Sequence, residues 1–204
     1  MYVDLSFSLV GSTAIAADHG YALYGAISRV LEDKVHAENG IGVHPIRGRQ
    51  VGNRQLMLMP WSTLTLRVAD DQIATMLPLA GKPLRLGDAS VRVGVPTVKA
   101  LVPATALRSR LVVIKVANIR PESVTAEQFA GAVRRQLDEL GVSAEAIVTI
   151  GKRRTLRVKQ REIVGYEAMA EGLTAEDSIS LQEQGLGGKR HMGCGVFVPA
   201  GKEN

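Results

Sequence analysis

One cysteine, Cys194, stands among 204 residues, so neither an internal disulfide nor a cysteine-rich zinc site is possible. That usage fits a reducing compartment, and the expectation is a cytoplasmic protein. Aromatic residues make up only 4% of the chain, too few for a surface that stacks one base after another. If the chain holds nucleic acid, contacts to phosphates or to a groove are the better model. No stretch approaches the roughly 20 apolar residues that span a bilayer, so no membrane association is expected. Residues 1–17 lack a basic start and are interrupted by Asp4, which argues against a secretory signal.

What is present is a modest excess of positive charge, 25 Lys and Arg against 20 Asp and Glu, which favours a polyanionic partner only weakly. The hydrophobic content of 46% is enough to build real cores, and the length suits two domains of about 100 residues each. Residues 2–9 alternate as a strand. Residues 18–34 place Leu23, Ile27, Val30 and Leu31 at helical spacing behind an Asp18 N-cap. Two strands are expected at 55–59 and 62–68 across Pro60 and Trp61, then a helix at 70–79 and a strand at 89–95. The segment from Pro96 to Leu107 reads as a connector. The order then repeats: a strand at 110–116, a helix at 125–141 with Thr125 and Gln128 as a capping box and Gly141 as its stop, strands over 145–160 and 162–170, a capped helix at 174–185 and a last strand at 194–199. Two βαββαβ units in tandem predict an α+β protein of ferredoxin-like (RRM-like) domains, at 1–98 and 104–204.

Three features could carry chemistry. The first is KRRTLRVKQR, residues 152–161, in which Lys152, Arg153, Arg154, Arg157, Lys159 and Arg161 fall within ten residues and no acid occurs from Ala146 to Gln160. As one strand it puts Arg153, Arg157, Lys159 and Arg161 on one face, opposite Leu156 and Val158, at a pitch of roughly 6.6 Å suited to a phosphate backbone. Clustering of this kind is the footprint of a nucleic-acid surface, against the plainer reading of a solvated face.

The second is GLGGKRHMGCGVFVP, residues 185–199. A loop bearing Gly187, Gly188, Lys189, Arg190 and His191 can aim successive amides and cations at a phosphate, or serve simply as a flexible connector. It is not a nucleotide cradle: Lys189 is followed by Arg190 where a P-loop needs Ser or Thr, and a GxGxxG started at Gly185 meets Arg190 where Gly is required. His191 and Cys194 are too few to hold a metal, and neither metal nor cofactor is expected.

The third is the group of early histidines. His19 lies in the first turn of the first expected helix, whose positive end keeps an imidazole neutral and able to accept a proton, while His36 lies just past the negative end, which favours the protonated form. Metal-free RNA cleavage needs both roles, a base for the 2′-OH and an acid for the 5′ oxygen. His44 precedes Pro45 in a strand or turn. Tyr21 and Tyr24 either pack or orient a nucleophile.

With DHGYALYGAISR, GVHPIRG and GLGGKRHMGCGVFVP as they stand, the chain resembles CRISPR-associated protein 6, the repeat-processing endoribonuclease family, and within it the Myxan-type subfamily of type I systems. The resemblance implies metal-independent cleavage within each repeat of the precursor CRISPR RNA, leaving a 2′,3′-cyclic phosphate. It implies a product that stays bound and an association with other subunits of a type I effector complex. By placement it makes His36 the general base with His19 second, and it sets the loop, with Lys189 and Arg190 on phosphates, close to the cut. The alternatives are a subunit that binds repeat RNA without cutting it, and a metabolite-binding regulator for which the cationic run is incidental.

Overall fold

The structure is a computed structural model that describes residues 1–11, 14–32 and 40–201. It divides into two compact units, Met1–Ala100 and Leu101–Asn204.

In the first unit, strand β1 (Tyr2–Val10) is central. Val3, Leu5, Phe7 and Leu9 alternate into the core, as a period of two requires of a half-buried strand. After the short β2 (Ala14–Ala16) comes helix α1 (Gly20–Val30), which buries Leu23, Ala26 and Ile27. Strands β3 (Gly42–Val43), β4 (Arg49–Gln50), β5 (Gln55–Met57), β6 (Thr63–Ala69), β7 (Pro83–Leu86) and β8 (Ala89–Ala100) follow, with helix α2 (Ile73–Met76) between β6 and β7. The described residues form a sheet in the order β3-β6-β1-β8-β7, in which β1 is antiparallel to both neighbours. A smaller sheet has the order β2-β5-β4.

Several expectations shift here. Helix α1 begins after His19 rather than Asp18, and the His19 side chain makes no cap bond to it. Residues 55–57 do form a strand, but it pairs with β2 and β4 instead of β6. The edge place beside β6 is taken by β3, two residues long and too short for any alternation to register. The expected helix over 70–79 is broken into α2 flanked by 3-10 turns, and Pro78, with no N–H to donate, sits in the second of them. Pro96 lies inside β8 rather than in a connector. It is accommodated because the β1–β8 ladder shifts register between Phe7 and Leu9, next to the Phe7–Pro96 pair.

In the second unit, β9 (Ala106–Val112) is central between β11 (Arg161–Glu171) and β12 (Val198–Pro199), and β10 (Ile147–Val158) lies outside β11. The order β10-β11-β9-β12 is again that of the ferredoxin-like plan. Helix α3 (Ala126–Glu139) carries both bonds of the Thr125–Gln128 capping box, and α4 (Ala175–Gln184) starts on the Thr174 hydroxyl. The core gathers Leu107, Val112, Phe129, Leu137, Tyr166 and Phe197. Tyr166 satisfies its hydroxyl by donating to the Val124 carbonyl at 2.6 Å. The first strand begins four residues before the expected one. Only Val198 and Pro199 of the expected last strand join the ladder.

Candidate nucleic-acid interface

The cationic run is the outer arm of a long hairpin. Strands β10 and β11 turn over at Lys159 and Gln160, with Val158 opposite Arg161 and Lys159 in the left-handed region at φ 56°. Lys152, Arg153, Arg157, Lys159 and Arg161 are exposed, and Leu156 is buried as the alternation requires. Arg161 does not share the face of Arg153 and Arg157. The chain reverses before it, so a count of two cannot be carried across the turn, and pairing with Val158 puts it on the other face.

Carboxylates reach this run from the neighbouring strand. The ladder slips between Ile150 and Arg153, leaving Gly151 and Lys152 opposite Glu167, as in a β-bulge. The Glu167 carboxylate accepts the Lys152 backbone N–H at 3.2 Å and the Arg154 guanidinium, whose Nε is 2.8 Å away. Partial burial alone would raise the Glu167 pKa, but the Arg154 and Lys152 bonds outweigh it and hold the carboxyl below its usual range. Arg154 is therefore neutralised where it stands. Glu162 lies directly opposite Arg157 in the ladder. Lys152 keeps an exposed ammonium although its charge helps hold Glu167 ionised, and Arg153, Lys159 and Arg161 are exposed with no ion pair among the described residues.

The glycine-rich segment is packed rather than supple. The Gly187 N–H donates to Gln136 Oε1 at 2.8 Å and the Gly188 N–H to the Val113 carbonyl at 2.9 Å, so these amides are spent within the protein and do not face a phosphate. Gly195 has φ 64°, donates to the Leu111 carbonyl at 2.7 Å, and leaves no room for a Cβ, which would run into the Leu186 carbonyl oxygen. A Cβ on Gly187 would meet the Val113 carbonyl in the same way. Arg190 turns inward and donates from Nη2 to the Glu183 carbonyl at 2.7 Å, satisfying the last turn of α4. Lys189, at φ 65°, and His191 are half-buried, and Cys194 is buried.

His36 lies outside the described residues. His19 is only 4% exposed, and both its nitrogens are engaged: Nδ1–H donates to the Ala16 carbonyl at 2.9 Å, and Nε2 accepts the Ile46 N–H at 2.9 Å. A carbonyl can only accept and an amide only donate, so the ring is the neutral Nδ1–H tautomer, a clasp between the end of β2 and residue 46. This corrects the expectation of an imidazole able to accept a proton, because the accepting nitrogen is already occupied. Tyr24 is 7% exposed, buried on α1. His44 approaches Asp4 Oδ1 at 3.3 Å, and Arg67, 1% exposed, grips the same carboxylate with two bonds of 2.8 and 2.9 Å. Burial would raise Asp4, yet His44 and Arg67 hold it far below the ordinary carboxylate range. Burial also pulls His44 below its ordinary value, against the pull of Asp4. Among the described residues no three His, Cys, Asp or Glu side chains gather as a metal site.

A twisted two-stranded arm with exposed cations along and around its tip can follow a phosphate backbone or enter a groove. Sequence reasoning missed Glu167 and Gln136, whose partners lie 13 and 51 residues away.

A family model described as Cas6 Crispr matches residues 3–202. The chain is 38% identical over 203 residues to the CRISPR-associated endonuclease Cas6 of Myxococcus xanthus (strain DK1622), covering 99% of this chain and 83% of that one. In fold it is similar to the solved Cas6-related protein from Pyrococcus furiosus, with a TM-score of 0.70, 14% identity and full coverage of both chains. It also resembles Thermus thermophilus Cse3 bound to an RNA representing a pre-cleavage complex, with a TM-score of 0.54 and 16% identity over 97% of this chain and 98% of that one.

Proposed function

The chain belongs to the Cas6 family of CRISPR-associated endonucleases, and from that premise we propose that it binds the CRISPR repeat and cuts it without a metal. In this reading the β10–β11 arm holds the repeat through phosphates. His36 takes the proton of a ribose 2′-OH, the 2′ oxygen attacks the adjacent phosphorus, and the 5′ oxygen leaves with a proton from an acid. The products are a 2′,3′-cyclic phosphate and a 5′-hydroxyl. The cut RNA stays on the protein and enters a type I effector complex with other subunits in the cytoplasm.

The observation that carries the RNA assignment is the exposed arm, where Lys152, Arg153, Lys159 and Arg161 are exposed while Glu167 holds Arg154. His36 receives the base role from its place after α1. His19 is reassigned from proton transfer to positioning, since its ring holds residue 46 in place. Incubation of the protein with the repeat RNA of its own locus in EDTA, followed by end-group analysis, tests the proposal. Fragments ending in a cyclic phosphate are expected, and they should vanish in His36→Ala while repeat affinity stays within about threefold, because a proton-transfer group acts on the barrier.

A binding-only role is favoured by one observation, the burial of both His19 and Tyr24. Retarded RNA with no fragments in the same assay selects it.

A further inference from the structure

From Gly40 to Ala69 the chain carries no Asp or Glu, yet it holds Arg47, Arg49, Arg54 and Arg67. Arg67 is consumed by Asp4 inside the first unit, but Arg47, Arg49 and Arg54 are exposed. The protein's single tryptophan, Trp61, is 58% exposed in the same region. A lone exposed aromatic is ordinary on a surface, so what matters here is the company of arginines around it.

The backbone at each of these residues is fixed by hydrogen bonds. The Ser62 hydroxyl donates to the Arg47 carbonyl at 2.6 Å and accepts the Met59 N–H at 2.9 Å, which locks the turn carrying Trp61 against Arg47. Arg49 faces Met57 across the β4–β5 ladder, and the Arg54 carbonyl accepts the Ala17 N–H at 2.8 Å. Arg54 keeps φ 55° at the tip of this hairpin, a conformation that Gly takes at no cost. A strained arginine where a glycine would fit points to a use for its side chain. The His19 Nε2 bond to the Ile46 N–H fixes the segment leading into Arg47.

We propose that Arg47, Arg49, Arg54 and Trp61 form a second RNA surface, on the first unit, which takes a single-stranded stretch by stacking one base on Trp61 and pairing phosphates with the arginines. A lone aromatic among cations suits one unstacked base and its flanking phosphates rather than a duplex, whose bases offer no open face. The proposal rests on the repeat-RNA reading above and names a subsite that the β10–β11 arm does not include.

Because Trp61 is the sole indole, it reports its own occupancy. Titration with oligouridylate is read by intrinsic fluorescence in an Arg153→Ala/Lys159→Ala background, so that the arm does not compete. Saturable quenching is expected, with a log–log salt slope near −2, from about 0.7 for each of three phosphate contacts to a single strand. By anisotropy of labelled oligouridylate, Trp61→Ala should bind about five- to a hundredfold more weakly, as loss of a stacked base predicts, and Trp61→Phe should recover most of the loss. Arg47→Ala/Arg49→Ala should flatten the slope. Absence of quenching, indifference to the arginine variants, or equal quenching by polyglutamate would each overturn the proposal. Failure of EDTA cleavage alone would sink the nuclease reading and leave this quench intact.

Discussion

Arg154 separates what a cationic sequence implies from what its folded form can do. By composition Arg153 and Arg154 are equivalent members of one run; in the fold Arg154 is paired with Glu167, while Arg153 is exposed on the arm. Each lysine or arginine that neutralises a duplex phosphate adds about 0.9 to the slope of log affinity against log salt. With Lys152, Arg153, Lys159 and Arg161 in contact, the slope for a repeat hairpin is about −3.6, from four contributions of about 0.9 each. Arg153→Ala should bring it to about −2.7 by the same rule. Arg154→Gln should leave it nearly unchanged, since its charge is already spent, or weaken binding slightly by uncovering the Glu167 carboxylate. The assay is a filter-binding series on an uncleavable repeat, with its 2′-hydroxyl removed at the cut, from low to moderate potassium chloride. An Arg154 variant that flattens the slope as much as Arg153→Ala would refute the argument, because it would mean that the ion pair opens to meet RNA.

Two further outcomes concern the framework. Asp4→Asn should destabilise the first unit by about 3–5 kcal/mol in urea melts followed by Trp61 fluorescence, because it strands the buried Arg67. Asp4→Asn/Arg67→Met should recover much of that loss, and a double variant no better than the single would count against it. The Asp4 pKa is depressed in the fold, so its contribution is complete above the unfolded carboxylate value and is lost as pH falls below about 4. His44, also depressed, adds a loss that begins nearer pH 6.5 in the same direction. Below about pH 4, where only the wild type loses the Asp4 contribution, it should therefore weaken with acid more steeply than Asp4→Asn. In the second unit, Gly195→Ala should cost more than about 1 kcal/mol, since it meets both a positive φ and a carbonyl in the way. Gly188→Ala, with open space around it, should stay within about 0.5 kcal/mol by thermal melt.

What the sequence determined by itself is local or periodic. The capping residues Thr125 and Thr174 act within one turn, so α3 and α4 start where the letters say. Alternation along β1 and β6 follows from the two-residue repeat of a strand, and the doubled βαββαβ order follows from such elements in succession. The cationic arm was legible for the same reason. Only tertiary structure decided which partner each group meets. Strand β5 left the main sheet, and the two residues of β3 took the edge through pairing with β6. Glu167 reached Arg154 across a turn, and His19 closed on an amide 27 residues away. Gly185, Gly187 and Gly195, which suggested a supple loop, proved to be points where two backbones touch. Such contacts depend on distance through space, which a charge run or a spacing along the chain does not encode, and they decide which cations remain to meet an RNA.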